Sequence, residues 1–422
     1  MSSGRRLTGL SPNFNKDRTM SRLEALIQQY CPDGVEWKPL WSLTAWDKKF
    51  KEVDKSKQER IIKYHYLLAA DLKSYCAEGG DIKLLTTNIS NLYTTKELSS
   101  GMESEGEVVA IPGGGNPVVQ YYKGKFLTAD NRIATALDTN ILSNKFLYYY
   151  LLSQLKLISS FYRGSGIKHP EMSKVLDLEI PVPPMPVQEE IVRILDSFAE
   201  LQAELQAELQ KRKLQYSYYR DNLLSFSGRF DVKWMKLGDI GKVCMCKRIM
   251  KDQTSRTGDV PFFKIGTFGG VADAYISQEL FEEYKSKYSY PHKGDILISA
   301  AGTIGRTVVY DGTPSYFQDS NIVWLQHDES IVLNTFLKYC YALNPWVVST
   351  GGTIARLYND NILNAVIPIP SLEEQARIVD ILDRFDTLTN DLTSGLPAEI
   401  EKRRQQYEYY RDRLLTFKRI DA

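Results

Sequence analysis

The amino-acid sequence predicts an α+β fold: two tandem domains, each followed by a long helix, with the two helices packing as an antiparallel coiled coil. Three observations carry this. Residues 180–226 recur as 367–417, and more than half of the positions are identical over 180–198 against 367–385 and over 211–226 against 402–417. Self-similarity at so long a period constrains the architecture before any local signal does. Second, each copy steps its apolar residues by three and four, which makes one helix face: 191, 195, 198, 201, 205 and 209, then Tyr216, Tyr219, Leu223 and Phe226; and 378, 382, 385, 388 and 392, then Ile400, Tyr407, Tyr410, Leu414 and Phe417. Third, the segment before each copy is made of short β-rich runs separated by glycine turns.

Length and composition bound the rest. A chain of 422 residues suits two or three domains, and 43% hydrophobic with 25% charged residues is ordinary for a soluble globular protein. The formal net charge of +1 announces no nucleic-acid partner, although charge segregated by face would not show in the sum. Cys31, Cys76, Cys244, Cys246 and Cys340 are scattered and complete no zinc set, as expected for reduced thiols of a cytoplasmic protein. No apolar run has the length of a membrane span, and the N-terminus lacks the apolar core of a signal peptide. Residues 1–19 are polar and read as a disordered extension, with a helical pattern opening at 20–30.

The first domain, 20–179, starts its globular part at Val35-Glu36-Trp37-Lys38-Pro39-Leu40, and the second, 229–366, at Val232-Lys233-Trp234-Met235-Lys236-Leu237. In the first, 106–111 runs through Gly113-Gly114-Gly115-Asn116 into Val118-Val119. In the second, 294–299 runs through Ala300 to Arg306 into Val308-Val309. Both look like hairpins with a glycine tip. Asp130-Asn131 and Ser320-Asn321 follow, then helices at 145–159 and from 334 to 341 or a little beyond. Gly164-Ser165-Gly166-Ile167 and Gly351-Gly352-Thr353-Ile354 precede the repeated stretch. Segments 53–71 and 242–290 have no visible counterparts.

The repeated stretches, 180–228 and 367–422, each open as an extended lead-in and become a helix. Pro181 to Pro186 impose extended backbone and bar an earlier helix start, and Gly228 is the expected stop. In the second copy Ser371 and Glu374 have capping-box spacing, and a four-residue insertion around Gly395 and Pro397 predicts a break.

A search for chemistry finds no catalytic constellation. There is no complete phosphate-binding loop; Gly238–Val243 and Gly302–Thr307 are fragments. Asp33, Glu36 and Lys38 are too close in sequence to form a nuclease carboxylate set, and His65, His169, His292 and His327 sit in unrelated contexts. The glycine loops have two readings. They permit positive φ in a turn, or they let backbone approach a phosphate, with Arg306 as a nearby charge. Arg163, Lys168 and His169 in the first half, and Arg356 in the second, occupy corresponding loops. With Gly114, Asn116 and Arg306 they are the candidate nucleic-acid contacts; ordinary solvated charge is the alternative.

At the repeated helices the chain resembles the specificity subunits of type I restriction-modification systems. The residues that carry the likeness are Ile180-Pro181-Val182-Pro183, Ile367-Pro368-Ile369-Pro370-Ser371-Leu372-Glu373-Glu374-Gln375, Ile191-Val192-Arg193-Ile194-Leu195-Asp196 with its twin, and the Tyr-Tyr-Arg-Asp endings. Tandem Ala-Glu-Leu-Gln units from Ala199 to Gln210 resemble the type IC branch in particular. The resemblance implies two target-recognition domains related by a pseudo-twofold, each reading one half of a split double-stranded DNA site. It also implies helices that dock two methyltransferase subunits and set the half-site spacing, and restriction subunits in the full complex. S-adenosylmethionine, Mg2+ and ATP would belong to the partners, and this chain would hold no catalytic residue and no cofactor. Its candidate docking or spacer residues are Gln188, Leu201, Leu205, Leu209, Tyr216, Tyr219, Arg220, Gln375, Tyr407, Tyr410 and Arg411. The specificity chain of another bipartite methyltransferase-nuclease system, and a DNA-independent helical-hairpin scaffold, remain alternatives.

Overall fold

The computed structural model describes residues 16–226, 228–348 and 356–420. The chain divides into two compact units. One runs to Glu204 and takes in the chain again from Ile400; the other is Leu205–Glu399. Each unit therefore joins an α+β domain to the first half of one repeat copy and the second half of the other.

The first unit opens with a helix, Lys16–Tyr30. It starts four residues ahead of the expected 20–30, because no glycine or proline interrupts the sequence back to Lys16. Of the expected disordered extension, residues 1–15 lie outside the described residues. The strands that follow are β1 (Trp37–Pro39), β2 (Thr44–Trp46), β3 (Ile82–Leu85), β4 (Tyr93–Thr94), β5 (Ser104–Pro112), β6 (Gln120–Thr128), β7 (Asn131–Ala136), β8 (Tyr162–Arg163), β9 (His169–Pro170) and β10 (Glu179–Pro181). Six of them form one sheet in the order β2-β7-β5-β6-β3-β4, antiparallel except for the parallel pair β3 and β6. The helix expected at 145–159 is two, Asn144–Ser153 and Leu155–Ser160, because Gln154 departs from helical backbone.

The second unit contains β11 (Lys233–Lys236), β12 (Lys242–Cys244), β13 (Val260–Phe263), β14 (Tyr275–Ile276), β15 (Ile296–Ser299), β16 (Thr307–Val309), β17 (Tyr316–Phe317), β18 (Ile322–Gln326) and β19 (Val366–Ile369). Its pairings repeat those of the first unit's six-stranded sheet. β12 to β18, β18 to β15, β15 to β16 and β13 to β14 are antiparallel, and β13 to β17 is parallel. This corrects the expectation that 242–290 has no counterpart: β12, β13 and β14 match β2, β3 and β4. The counterpart of β6 is divided into β16 and β17 by a turn at Asp311–Pro314, where Gly312 has φ +91° and the proline offers no N–H to a ladder.

The lead-ins also match. β1 pairs with β10 so that Trp37 faces Pro181, and β11 pairs with β19 so that Trp234 faces Pro368. In the first unit residues 418–420 join this corner: the Val35 N–H donates to the Lys418 carbonyl at 2.9 Å and the Ile420 N–H to the Val35 carbonyl at 3.1 Å. Gly34 has φ +121°, and a Cβ there would lie 2.5 Å from the Lys418 oxygen, so the close approach requires glycine.

The central helix is Met185–Ser225. It begins before the last proline, which corrects the expected start: Pro186 occupies the first turn, where no N–H needs an intrahelical partner. The Pro184 carbonyl accepts from the Val187 and Gln188 N–H groups. The helix stops at Ser225, with Phe226 at φ +43°, ahead of the expected stop at Gly228. In the second copy Ser371 caps Leu372–Asn390, accepting from the Glu374 N–H at 3.3 Å. The chain breaks and restarts as Leu396–Leu414, at the expected place. A Cβ on Gly395 would lie 2.4 Å from the Thr387 carbonyl oxygen, so the break closes only around glycine.

The aromatic contacts are reciprocal. In the first unit Phe198 stacks on Tyr410, centroids 5.5 Å apart. In the second, Phe385 stacks on Tyr219 at 5.4 Å. Phe198 and Phe385 are repeat equivalents, as are Tyr219 and Tyr410, so each copy's phenylalanine meets the other copy's tyrosine. The pairing order is that of antiparallel segments. Offset stacking of this kind adds about 0.5–1.5 kcal/mol to the burial of the rings.

Candidate nucleic-acid interface

In the first unit the expected glycine loop and the loop before the lead-in meet. The Gly115 N–H donates to the Lys168 carbonyl at 2.9 Å, and His169 Nδ1 lies 2.6 Å from the Gly113 oxygen. A Cβ on Gly114 would come within 2.9 Å of the His169 ring, so the absent side chain is where that ring packs. Arg163 and His169 face each other across the β8–β9 ladder. Gly114, Asn116, Arg163, Lys168 and His169 thus share one surface, and all but half-buried Gly114 are exposed. Arg163 also pairs with Glu171 at 3.4 Å, an exposed contact that a phosphate could compete for.

Two cations that the sequence reading passed over join them. The Gly113 N–H donates to the Asp130 carbonyl, and a Cβ on Gly113 would lie 2.5 Å from Arg132 Nη1. Lys48 is held below the usual lysine range, first by partial burial and then by the nearby Arg132 guanidinium. Asp47 offsets this charge from inside: its carboxylate is buried and accepts from the Ile133 N–H at 2.9 Å and the Tyr66 hydroxyl at 2.8 Å. The sequence signal for Arg132 was its position directly after the Asp130-Asn131 turn, where Asp130 has φ +51°. Lys48 had none, because only the β2–β7 pairing brings it to this edge.

The second unit repeats the construction. Ser320 has φ +53°, matching Asp130. The Ala300 N–H donates to the Asn321 carbonyl at 2.7 Å, and the Leu357 N–H to the Ala300 carbonyl at 2.9 Å. Arg356 donates to the Ser320 carbonyl at 2.7 Å and lies 6.0 Å from the Tyr358 ring centroid; Arg306 donates to the Phe268 carbonyl at 2.9 Å. Arg356 borders a cleft of about 400 Å³ that Met245, Ser320 and Tyr358 also line. Gly351–Ile354, aligned with the loop at Gly164, lie outside the described residues.

The helix candidates divide into inward and outward groups. Gln188 and Gln375 are fully buried. Gln188 accepts from the Ser143 N–H at 2.9 Å and donates to the Ile141 and Pro183 carbonyls at 2.7 and 2.8 Å. Gln375 makes the same three bonds, to Leu333, Ile331 and Pro370. Both amides clamp a helix to its own domain and present no docking surface, a correction that follows from their burial. Tyr407 and Tyr410 are buried, and Tyr216 contacts Phe385 as Tyr219 does. Between them Tyr218 and Tyr409, repeat equivalents that the stripe analysis passed over, are 65% and 59% exposed. Arg220 and Arg411 are alike: each donates to the following aspartate at 2.8 Å and lies 5.8 Å from the ring centroid of Tyr216 or Tyr407. Leu201 and Leu205 are half-buried and Leu209 is buried, which confirms the stripe along the Ala-Glu-Leu-Gln units.

Among the described residues no group of three or more His, Cys, Asp or Glu side chains is placed to hold a metal ion. No described helix is long and apolar enough to cross a membrane.

Comparison with known proteins bears on the same elements. The family described as type I restriction modification DNA specificity domain matches twice, over residues 51–212 and 231–402. A putative type I restriction enzyme specificity subunit of Haemophilus influenzae is 51% identical over 75% of this chain and 84% of its own length. A type I restriction enzyme specificity subunit of Escherichia coli is 32% identical over 94% and 97%. The crystal structure of a type I restriction-modification S subunit from M. genitalium shares the fold, with a TM-score of 0.57 and 17% identity over 90% of this chain and 96% of that one.

Proposed function

The chain belongs to the type I restriction modification DNA specificity family, and from that premise we propose that each α+β domain reads one half of a bipartite double-stranded DNA site. The single observation that carries this is the recurrence, on two strand frameworks of equal topology, of the same loop cluster bearing positive charge. Lys48, Arg132, Arg163 and Lys168 serve the first half-site, and Arg306 and Arg356 the second. These cations position the duplex through its phosphates, while sequence is read from base edges.

The paired helices dock two methyltransferase chains and set the distance between half-sites. Tyr218 and Tyr409, one per repeat copy, suit equivalent contacts with two identical partners, tyrosine and arginine being the usual anchors of such interfaces. The chain is the non-catalytic member of the complex. Methyl transfer from S-adenosylmethionine to adenine, and Mg2+- and ATP-dependent cleavage, belong to methyltransferase and restriction partners in the cytoplasm.

Replacing residues 231–366 with the corresponding domain of another family member tests half-site ownership. The methylated motif, mapped by single-molecule sequencing, should change in one half only. A motif that changes in both halves together refutes the assignment.

A further inference from the structure

On the reading that each domain recognises half of a DNA site, we infer that a fourth loop in each unit is a base-reading element: the β3–β4 loop, residues 86–92, and its topological equivalent between β13 and β14, residues 264–274. Asn88 and Asn91 read the first half-site, and Val271 touches bases of the second.

Position comes first. Gln120, at the start of β6, donates to the Thr86 carbonyl at 2.8 Å, and Asn131, at the start of β7, donates to the Leu85 carbonyl at 2.7 Å. The β3–β4 loop is thereby tied to the same turns that carry Gly113 and Arg132. In the second unit the Ile265 N–H donates to Gln318 Oε1 at 2.9 Å, a Cβ on Gly302 would meet Ile265, and Arg306 bonds the Phe268 carbonyl. Both loops thus border the cationic cluster of their own domain.

Preorganisation comes second. Lys83 Nζ donates to the Ser90 carbonyl, and the Thr86 hydroxyl donates to the Asn88 carbonyl at 2.6 Å and lies 3.0 Å from Ser90 Oγ. The inward groups hold the backbone, while Asn88, Ile89 and Asn91 are exposed. An asparagine amide offers a donor and an acceptor in the spacing that matches the N6 and N7 edge of adenine, and an apolar side chain suits the thymine methyl. In the second loop the Thr267 hydroxyl bonds Lys264, the Gly270 N–H bonds Thr267, Lys264 pairs with Asp273, and Val271 is left 87% exposed.

Divergence comes third. The strands flanking the two loops pair identically, yet one loop has seven residues rich in amides and hydroxyls and the other eleven rich in glycine. A common frame with unlike tips is what reading two different half-sites requires.

The test uses the complex with its methyltransferase chain, expressed in a host without other adenine methylation, and sequencing of its methylated sites. Asn88→Ala and Asn91→Ala should each relax base preference at a position of the first half-site by about tenfold, leaving the second half-site unchanged. Asn88→Asp keeps the shape but only accepts, so it should shift that position from adenine toward cytosine. Val271→Ser should relax only the second half-site. An unchanged motif in all four variants, or uniformly weaker methylation with unchanged preference, overturns the inference. A wild-type complex that methylates no bipartite motif would instead sink the reading on which it rests.

Discussion

Gln188→Ala should destabilise the first domain far more than the loss of an ordinary helix residue. The Gln188 amide is fully buried and makes three hydrogen bonds of 2.7–2.9 Å, one to a backbone N–H and two to carbonyls. At about 1 kcal/mol net per bond the loss is about 3 kcal/mol, and the stranded buried groups add to it. For a domain of this size that corresponds to a fall of roughly 6–12 °C in the melting transition. Differential scanning calorimetry of the purified chain reads it. Gln375→Ala should lower the transition of the other unit by a similar amount, and the double variant should show both losses, because the two amides share no partner. Gln188→Glu is the discriminating variant. Its carboxylate can accept from Ser143 but sets negative charge against the Ile141 and Pro183 carbonyls, so it should be as damaging at neutral pH and partly rescued when acid supplies a proton. A shift below about 2 °C for both alanine variants would show that the amides are not clamps, and the inward assignment would fail.

Three further outcomes are expected. Deleting Ala203–Gln206 removes a little more than one helical turn, roughly 6 Å of rise, and leaves the stripe of Leu201 and Leu209 in nearly the same phase. Since DNA rises about 3.4 Å per base pair, mapped half-sites should close up by about one or two base pairs with their bases unchanged; full activity at the original spacing would refute the spacer role. Native mass measurement of the assembled complex should give two methyltransferase chains per copy of this protein, and one-to-one stoichiometry at saturating partner would refute paired docking. Asp391 in the helix break accepts from the Ser394 and Thr393 hydroxyls and the Thr393 N–H, which lowers its pKa to about 2. Because the folded value is depressed, its contribution is present above the ordinary carboxylate pKa and is lost as pH falls through about 2; carbon-detected NMR titration should place its midpoint there, and a midpoint near 4 would refute these hydrogen bonds.

The repeat, the two helix stripes, the break at Gly395 and the matching lead-ins were legible in the sequence because each depends on local spacing. Three- and four-residue steps make a helix face whatever surrounds it, and proline and glycine act on their own backbone. The glycine tips and the cations Arg163, Lys168, Arg306 and Arg356 were legible for the same reason, as residues at turns. What the stripe could not tell was which members of it are sealed. Gln188 and Gln375 stand among the candidate docking or spacer residues, but Ile141, Ser143, Ile331 and Leu333 close over them. Tyr218 and Tyr409 fall off the three- and four-residue stripe, and only their exposure marks them out. The matching of β12, β13 and β14 to β2, β3 and β4 was invisible because strand partners lie far apart in the chain and the side chains need only suit each sheet. The same holds for Lys48 and the Asn88 loop. Sequence by itself determined the two-part architecture and its helices, through local backbone preference and periodicity. Only tertiary structure decided which loops share a surface, because that depends on non-local strand pairing, to which neither spacing nor composition is sensitive.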